Sequence, residues 1–409
     1  MRRQSRLRGL GATGPHALIL FASLCVSFSL ARVTSLVSQV NKTTKHPRRL
    51  DQGIRWHRDP ETGELSVNWE GGADGAESGG HAAGPAPLRV RTQVVAVTCI
   101  VSTHDGAAVP GLRREDFRIF DDGVEQPISY FDASTQPASV ALVIDASPSV
   151  LRDSDEMKQA AGALIGSLAP LDQAAVVDFS AHTYLQLGFS DVREQIHRAV
   201  ARVDVRELLG DTGGSNIYEA VYLAARELFA GRSGRKAILL LTDGQDSGLG
   251  LTLDPASAAP GPGRPADRLT FDDVARLLAE QDIQVFAVST ENRPKIMTPD
   301  WLAAHEGTTL LNASARASGI PPYTLYLAEL VRRAGGQLYF LREAETMADT
   351  FRKIAEKIRA EYTLGFYREA SASGEGTAPG WHLLRVEIPG QRDVHVSSRA
   401  AYYIPALAQ

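Results

Sequence analysis

Between Ser139 and residue 360 the chain alternates short apolar runs with amphipathic helical stretches, and this alternation limits the fold more than any other feature. The runs at 139–145 (SVALVID), 173–180 (QAAVVDFS), 236–242 (KAILLLT), 283–289 (IQVFAVS) and 337–341 (QLYFL) need cover on both sides. Apolar residues at helical spacing over about 153–168, 191–203, 215–230, 271–281, 323–334 and 344–360 supply that cover. Strand and helix repeating in this way predict an α/β fold, a mainly parallel sheet with helices on both faces. A strand at 183–188 follows 173–180 too closely for a crossover, so one of that pair is expected to run antiparallel. Two stretches interrupt the pattern. Residues 247–268 are Gly/Pro-rich and are expected to form a disordered surface loop. Residues 291–321 lack periodicity but carry Trp301, which is costly to leave bare, and His305.

The first apolar run breaks into an acid and two hydroxyls, D-A-S-P-S, with Asp145, Ser147 and Ser149 at alternate positions. In a parallel sheet, ligands bind beyond the carboxyl ends of the strands, and Asp145 stands at such an end. The run LLLTDG is the other apolar strand that ends in an acid, and it puts Asp243 at the same edge. The loop D-T-G-G-S opens a helix and offers Thr212 and Ser215. Carboxylates and hydroxyls are hard oxygen donors, suited to Mg²⁺, Mn²⁺ or Ca²⁺ and poorly suited to zinc or copper. With neutral hydroxyls making up the rest of the set, the ion has room for a further anion, so the site suits capture of an acidic residue. The plainer reading is a helix N-cap with turn serines.

Two flanks have a different texture. Residues 88–135 read as β-strands joined by turns at Asp105-Gly106, Pro110-Gly111 and Asp122-Gly123. Residues 361–409 hold three more short strands and no returning α/β pattern. Each flank is too small to fold confidently alone. The expectation is one small all-β module assembled from both, with the α/β domain inserted between them.

At the N-terminus, Arg2, Arg3, Arg6 and Arg8 precede an uncharged run at 17–31. That is the pattern of a secretory signal, with Ser29 and Ala31 as small residues before a cut after residue 31. The run is short for a membrane span, and an uncleaved anchor is the alternative. Residues 32–87 show no sustained periodicity and end in a Gly/Ala/Pro-rich stretch, expected as a flexible linker. Past the signal a single cysteine is left, Cys99, in a strand-like run where it reads as a small core hydrophobe. A net charge of −5 argues against nucleic acid as a partner.

The arrangement of acids and hydroxyls resembles the von Willebrand factor type A domain and its metal-ion-dependent adhesion site. The motif of that site is D-x-S-x-S after the first strand, a hydroxyl in a Gly-Gly loop before a central helix, and an Asp after the fourth strand. Asp145, Ser147, Ser149 and Asp243 match directly, and Ser215 follows Gly213-Gly214 at the position where the family usually has Thr. Thr212 is the alternative. The segments before and after the domain are similar to those of exported bacterial proteins called VWFA-related. The resemblance implies a Rossmann-like domain over 136–360 that binds one divalent cation, Mg²⁺ foremost, through Asp145, Ser147 and Ser149 directly or by water, with Ser215 and Asp243 completing the set.

The expectation is an exported binding or adhesion protein, secreted or held in the periplasm or cell envelope, whose metal captures an Asp or Glu of a protein partner. No enzyme activity is expected, because no nucleophile or general base accompanies the site in sequence. Membrane contact is expected only through an uncleaved N-terminal segment. A metal-independent structural or assembly module of the envelope is the alternative. The remaining candidates are weaker. Asp211-Thr-Gly precedes a helix and lacks the β lobe and duplicate of an aspartic protease. His182 reads as a surface histidine, Asp246 as a turn acid, and Glu219 as a first-turn acid that favours the helix dipole.

Overall fold

The computed structural model describes residues 47–58, 65–69, 92–103, 107–133, 136–204, 214–249, 268–305, 308–341, 347–369, 380–391 and 393–404. The signal or anchor expected at 1–31 lies outside them. Part of the stretch expected as linker is folded: β1 (Arg48–Arg49), β2 (Ile54–Arg58) and β3 (Leu65–Trp69) are strands. β2 and β3 pair antiparallel, and β1 adds to the edge of the large sheet described below.

The first flank supplies β4 (Thr92–Thr103), β5 (Arg118–Asp121), β6 (Val124–Gln126) and β7 (Tyr130–Asp132). The inserted domain follows, with β8 (Ala138–Asp145), α1 (Ser154–Ser167), β9 (Gln173–Phe179), β10 (Thr183–Ser190), α2 (Arg193–Ala201), α3 (Ile217–Phe229) and β11 (Arg235–Thr242). It continues with α4 (Phe271–Glu280), β12 (Gln284–Ser289), α5 (Pro299–Ala304), α6 (Ala313–Arg316), α7 (Pro322–Arg333), β13 (Leu338–Phe340) and α8 (Met347–Arg359). The second flank gives β14 (Glu361–Glu369), β15 (Gly380–Glu387), β16 (Val394–Ser398) and β17 (Ala401–Ile404).

The seven-stranded sheet runs β1-β10-β9-β8-β11-β12-β13. Strands β9, β8, β11, β12 and β13 are mutually parallel, and the short β9–β10 connection makes β10 antiparallel, as the sequence predicts. Both faces are buried. Ala141, Val143, Ile238 and Leu240 pack on α3, α4 and α7, while Val140, Leu142, Leu239 and Phe286 pack on α1, α2 and α8. Each fully buried Val, Leu or Ile contributes about 1.5–3 kcal/mol relative to exposure, which is why these runs have no polar face. From β8 the chain passes to β9 on one side and later returns to β11 on the other. The β8/β11 boundary is therefore the point where strand order reverses, and a crevice opens at its carboxyl end.

The flanking segments form two four-stranded antiparallel sheets, β16-β4-β14-β7 and β17-β15-β5-β6. Strand β14 lies between β4 and β7, and β15 pairs with β5, so neither flank completes a sheet alone. Val97, Cys99, Phe117, Ile119, Leu364 and Phe366 fill the space between the sheets. Cys99 is fully buried, and burial pushes its thiol far above the ordinary range, as suits a core residue.

The 291–321 stretch carries two short helices and a satellite core of its own. Met297, Leu310, Ala315, Ile320 and Phe340 are buried in it, with Trp301 against them and the His305 ring stacked on Trp301 at 4.1 Å. Fully buried Glu329 ties this segment to α7. It accepts the Leu310 N–H at 3.1 Å and the Thr309 hydroxyl at 3.1 Å while pairing with Arg332 and Arg333, each at 2.8 Å.

Candidate metal site at the strand-order reversal

Asp145 is the last residue of β8 and Asp243 the first after β11, so the parallel register brings both carboxylates to one crevice. Asp145 is 2 % exposed and Asp243 3 %. One Asp145 oxygen accepts the Ser147 N–H at 2.9 Å, which turns the chain over the strand end. The other accepts the Thr242 hydroxyl at 2.6 Å and the Ser215 hydroxyl at 3.4 Å. Ser147 and Ser149 hydroxyls lie 3.0 Å apart, and Ser149 also hydrogen-bonds Asp243. Ser147 and Ser215 are buried, whereas Ser149 is exposed and marks the mouth. All the residues read from the sequence meet here except Thr212, which lies outside the described residues.

Two glycines allow this closeness. Gly214 has φ +94°, and a Cβ there would sit 2.2 Å from the Ser247 hydroxyl oxygen. Gly244 has φ +90°, and a Cβ would press on the Tyr323 ring at 3.3 Å. These conformations strain any other residue. The Ser215 loop is then fastened on one side by Ser247, whose N–H donates to the Ser215 carbonyl at 2.7 Å. On the other side, the Asn216 N–H donates to the Ser180 carbonyl at 2.9 Å and the Asn216 side-chain amide to the Ala181 carbonyl at 2.8 Å.

The electrostatics are those of a pair of carboxylates without a basic partner. Burial, and next the charge of Asp243, pushes Asp145 up to about 7. Burial raises Asp243 as well, against hydrogen bonds from Ser149 and the Gln245 N–H. Among the described residues, no Lys, Arg or His forms an ion pair with either. Two buried carboxylates and three hydroxyls, all oxygen and all converging, fit a hard divalent cation, whose charge would offset their mutual repulsion.

Two contributors escaped the sequence reading. In sequence Thr242 is only the end of an apolar run, yet its hydroxyl links Asp145 to the Gly244 N–H, which donates to it at 3.0 Å. Asp246 is more than a turn acid. It accepts the Tyr218 N–H at 3.4 Å in the first turn of α3 and also takes the Leu249 N–H, tying the β11 loop to that helix. Glu219, in the same turn, is pushed up to about 7 by burial and by Asp51 and Asp246.

A second group of potential ligands stands in the β-module, where Asp121, Asp122 and His382 come together. It is already paired. Asp121 faces Arg368 at 3.3 Å and takes the Tyr402 hydroxyl at 3.2 Å, and Asp122 meets His382 Nδ1 at 2.7 Å. These pairs tie the β5–β6 turn to β15, where the Leu383 N–H also donates to Asp122 at 2.8 Å.

Residues 139–296 match the von Willebrand factor type A domain. No curated protein sequence matches the chain. Among solved structures, BatB from Bacteroides thetaiotaomicron is similar at 18 % identity over 54 % of this chain and 98 % of that one, with a TM-score of 0.37. A von Willebrand factor type A protein from Catenulispora acidiphila is similar at 14 % identity over 78 % of this chain and 75 % of that one, with a TM-score of 0.37. Proximal thread matrix protein 1 of the mussel byssus, described with a zinc-occupied metal-ion-dependent adhesion site, shares 16 % identity over 59 % of this chain and 50 % of its own, with a TM-score of 0.37.

Proposed function

We propose, from the von Willebrand factor type A domain at residues 139–296 and the crevice it carries, that this chain is an exported, non-enzymatic binding protein. Its site holds one divalent cation, Mg²⁺ foremost with Mn²⁺ or Ca²⁺ as substitutes, and captures an Asp or Glu of a protein partner. The observation that supports this most is the convergence of two buried carboxylates, unpaired with any base among the described residues, with hydroxyls from separate segments at the strand-order reversal. Bound there, the cation supplies a Lewis-acid centre open to a carboxylate from outside.

The chain's own residues set the terms of capture. Asp145 and Asp243 provide the charge that draws the ion, Ser147 and Ser215 neutral oxygens below, and exposed Ser149 an oxygen at the mouth. The 291–321 segment follows β12, whose carboxyl end lies on the same sheet edge, and is proposed to read the partner's shape. Among the described residues no helix is long and apolar enough to cross a membrane. The proposal of export rests on the sequence pattern at 1–31.

The test is calorimetric titration of the purified chain with Mg²⁺, Mn²⁺, Ca²⁺ and Zn²⁺ beside Asp145→Ala, followed by partner capture with and without chelator. Saturable one-site binding that disappears in the variant supports the proposal. Partner capture that survives both chelation and Asp145→Ala overturns it in favour of a metal-independent assembly module.

A further inference from the structure

The folded strap at residues 48–58 and 65–69 carries an inference that rests on the metal-site reading and goes beyond it. The strap lies on the inserted domain at two separate places. At its far end the β2–β3 hairpin rests on the helical face. Trp56 meets the Tyr222 ring edge-on at 5.4 Å, and Arg58 forms a two-pronged pair with Asp273 at 2.6 and 3.1 Å. At its near end, β1 extends along β10 and the ladder continues with the Leu50 N–H donating to the Thr183 carbonyl at 2.7 Å.

Asp51 terminates that ladder. Its carboxylate is 10 % exposed and accepts Arg49 Nε at 2.9 Å, Arg49 Nη2 at 3.0 Å and the Thr183 N–H at 3.3 Å. Its second oxygen is 2.8 Å from His182 Nδ1. Burial pushes Asp51 up, but the hydrogen bonds from Arg49 and His182 outweigh it and hold the carboxyl below its ordinary range. His182, a surface histidine in the sequence reading, is partly exposed and clasped by Asp51.

The turn that Asp51 grips, Ser180–His182, is the same turn that supports the Ser215 loop. The Ser180 N–H closes the turn onto the His182 carbonyl at 3.0 Å, while the Ser180 and Ala181 carbonyls both face Asn216, the neighbour of Ser215. A continuous set of hydrogen bonds therefore runs from the strap, through the turn, to the loop whose hydroxyl points at Asp145. Groups that orient a ligand from behind commonly set its metal affinity.

We propose that Asp51 is a positioning residue for the metal site: by clasping the Ser180–His182 turn it holds Ser215 in place, so that cation affinity depends on this clasp. The sequence upstream of the domain then acts on the adhesion site as well as preceding it.

The experiment uses the full chain and Mg²⁺ as the probe. Affinity is measured by calorimetry for wild type, Asp51→Ala, Asp51→Asn, His182→Ala and Arg58→Ala, with Asp145→Ala as the blank. Amide exchange of residues 214–217 is read in parallel. Loss of the clasp is expected to weaken Mg²⁺ by about three- to tenfold, short of the full range known for groups hydrogen-bonded directly to a ligand. Asp51→Asn keeps an acceptor for the Thr183 N–H and is expected to fall between wild type and Asp51→Ala. Exchange at 214–217 is expected to speed up in the Ala variant. Arg58→Ala loosens the far end only, so it is expected to lower thermal stability and leave Mg²⁺ affinity unchanged. If Asp51→Ala does not fold, His182→Ala reads the same clasp from the other side. Unchanged affinity in the clasp variants, or an equal loss in Arg58→Ala, overturns the positioning role while the wild-type titration still stands. Absence of saturable binding in wild type overturns the metal-site reading itself.

Discussion

Asp145 and Asp243 end neighbouring parallel strands, both almost fully buried, and the charge of Asp243 opposes ionisation of Asp145. Such a pair is costly to the metal-free fold and favourable to the metal-bound one. Asp243→Asn removes one of the two charges and keeps the shape. It is expected to raise the metal-free melting temperature, by about 2–4 °C for about 1 kcal/mol in a domain of this size. The same variant is expected to lose most of the stabilisation that added Mg²⁺ gives wild type. Differential scanning calorimetry with chelator and with Mg²⁺ checks both halves. A fall in the chelated melting temperature would show that Asp243 is a structural cap.

The same relationship gives a pH dependence. A carboxyl whose pKa is raised by folding holds its proton more tightly in the folded state. Its contribution to stability is full below the ordinary carboxylate range and is lost as pH rises through about 7. A divalent cation must displace that proton, so the Mg²⁺-induced shift in melting temperature is expected to grow from pH 5 to pH 8. Glu219, also pushed up to about 7, titrates in the same window. Glu219→Gln separates the two. It is expected to stabilise the chain at pH 8 by about 1–2 kcal/mol and to do little at pH 5, with the Mg²⁺ dependence intact. Melting curves at the two pH values decide, and equal effects at both would remove the titration argument for Glu219.

How far the site was legible in the sequence follows from what kind of pattern each residue belongs to. Asp145, Ser147, Ser149 and Asp243 could be placed because strand ends are visible as breaks in apolar runs, and a parallel sheet brings strand ends together. Ser215 was legible through its Gly-Gly neighbour. The role of Thr242 was not, because a Thr closing an apolar strand looks the same whether its hydroxyl faces a carboxylate or the solvent. The strap was missed for another reason. β1 has two residues and β2 and β3 five each, below the length at which alternation stands out from chance. Its attachment relies on single long-range contacts, such as Arg58 with Asp273, that no local pattern encodes. The 291–321 segment likewise hid its core, since four- and six-residue helices give too few turns for periodicity to appear.

Thr242 therefore makes a sharp test. Its hydroxyl donates to Asp145 and accepts from the Gly244 N–H, and it is fully buried. Thr242→Val preserves shape, leaves the Gly244 N–H without its acceptor and takes one donor from Asp145, which costs about 1–3 kcal/mol. Freed of one donor, Asp145 is expected to become harder still to ionise, moving the Mg²⁺ response to higher pH. Thr242→Ser keeps the hydroxyl and should restore most of both properties. Chemical denaturation and Mg²⁺ titration across pH check the pair, and a Val variant with unaltered pH response would confine Thr242 to packing.

Buried cations of the chain itself bridge the inserted domain and the β-module, Arg235 among them. Arg235, at the start of β11, donates from Nη1 to the Ile358 carbonyl at 3.1 Å and also to that of Arg359, and from Nη2 to the Glu361 carbonyl at 2.9 Å. Its Nε stands 3.7 Å from the Glu361 carboxylate, whose other oxygen is buried without a partner. Burial pushes Glu361 far up, and Arg235 opposes that shift. Arg235→Met removes the positive charge that opposes the shift of Glu361 and frees the carbonyls where α8 passes into β14. A loss of about 3–5 kcal/mol is expected, as for other buried pairs broken on one side. The double variant Arg235→Met/Glu361→Leu removes the stranded carboxyl as well and is expected to recover part of that loss, because the penalty lies in the unpaired group more than in the missing attraction. Urea denaturation of wild type, both single variants and the double variant closes the cycle. Additive losses would mean that Arg235 acts through the carbonyls of Ile358, Arg359 and Glu361 alone, with its charge on Glu361 of no consequence.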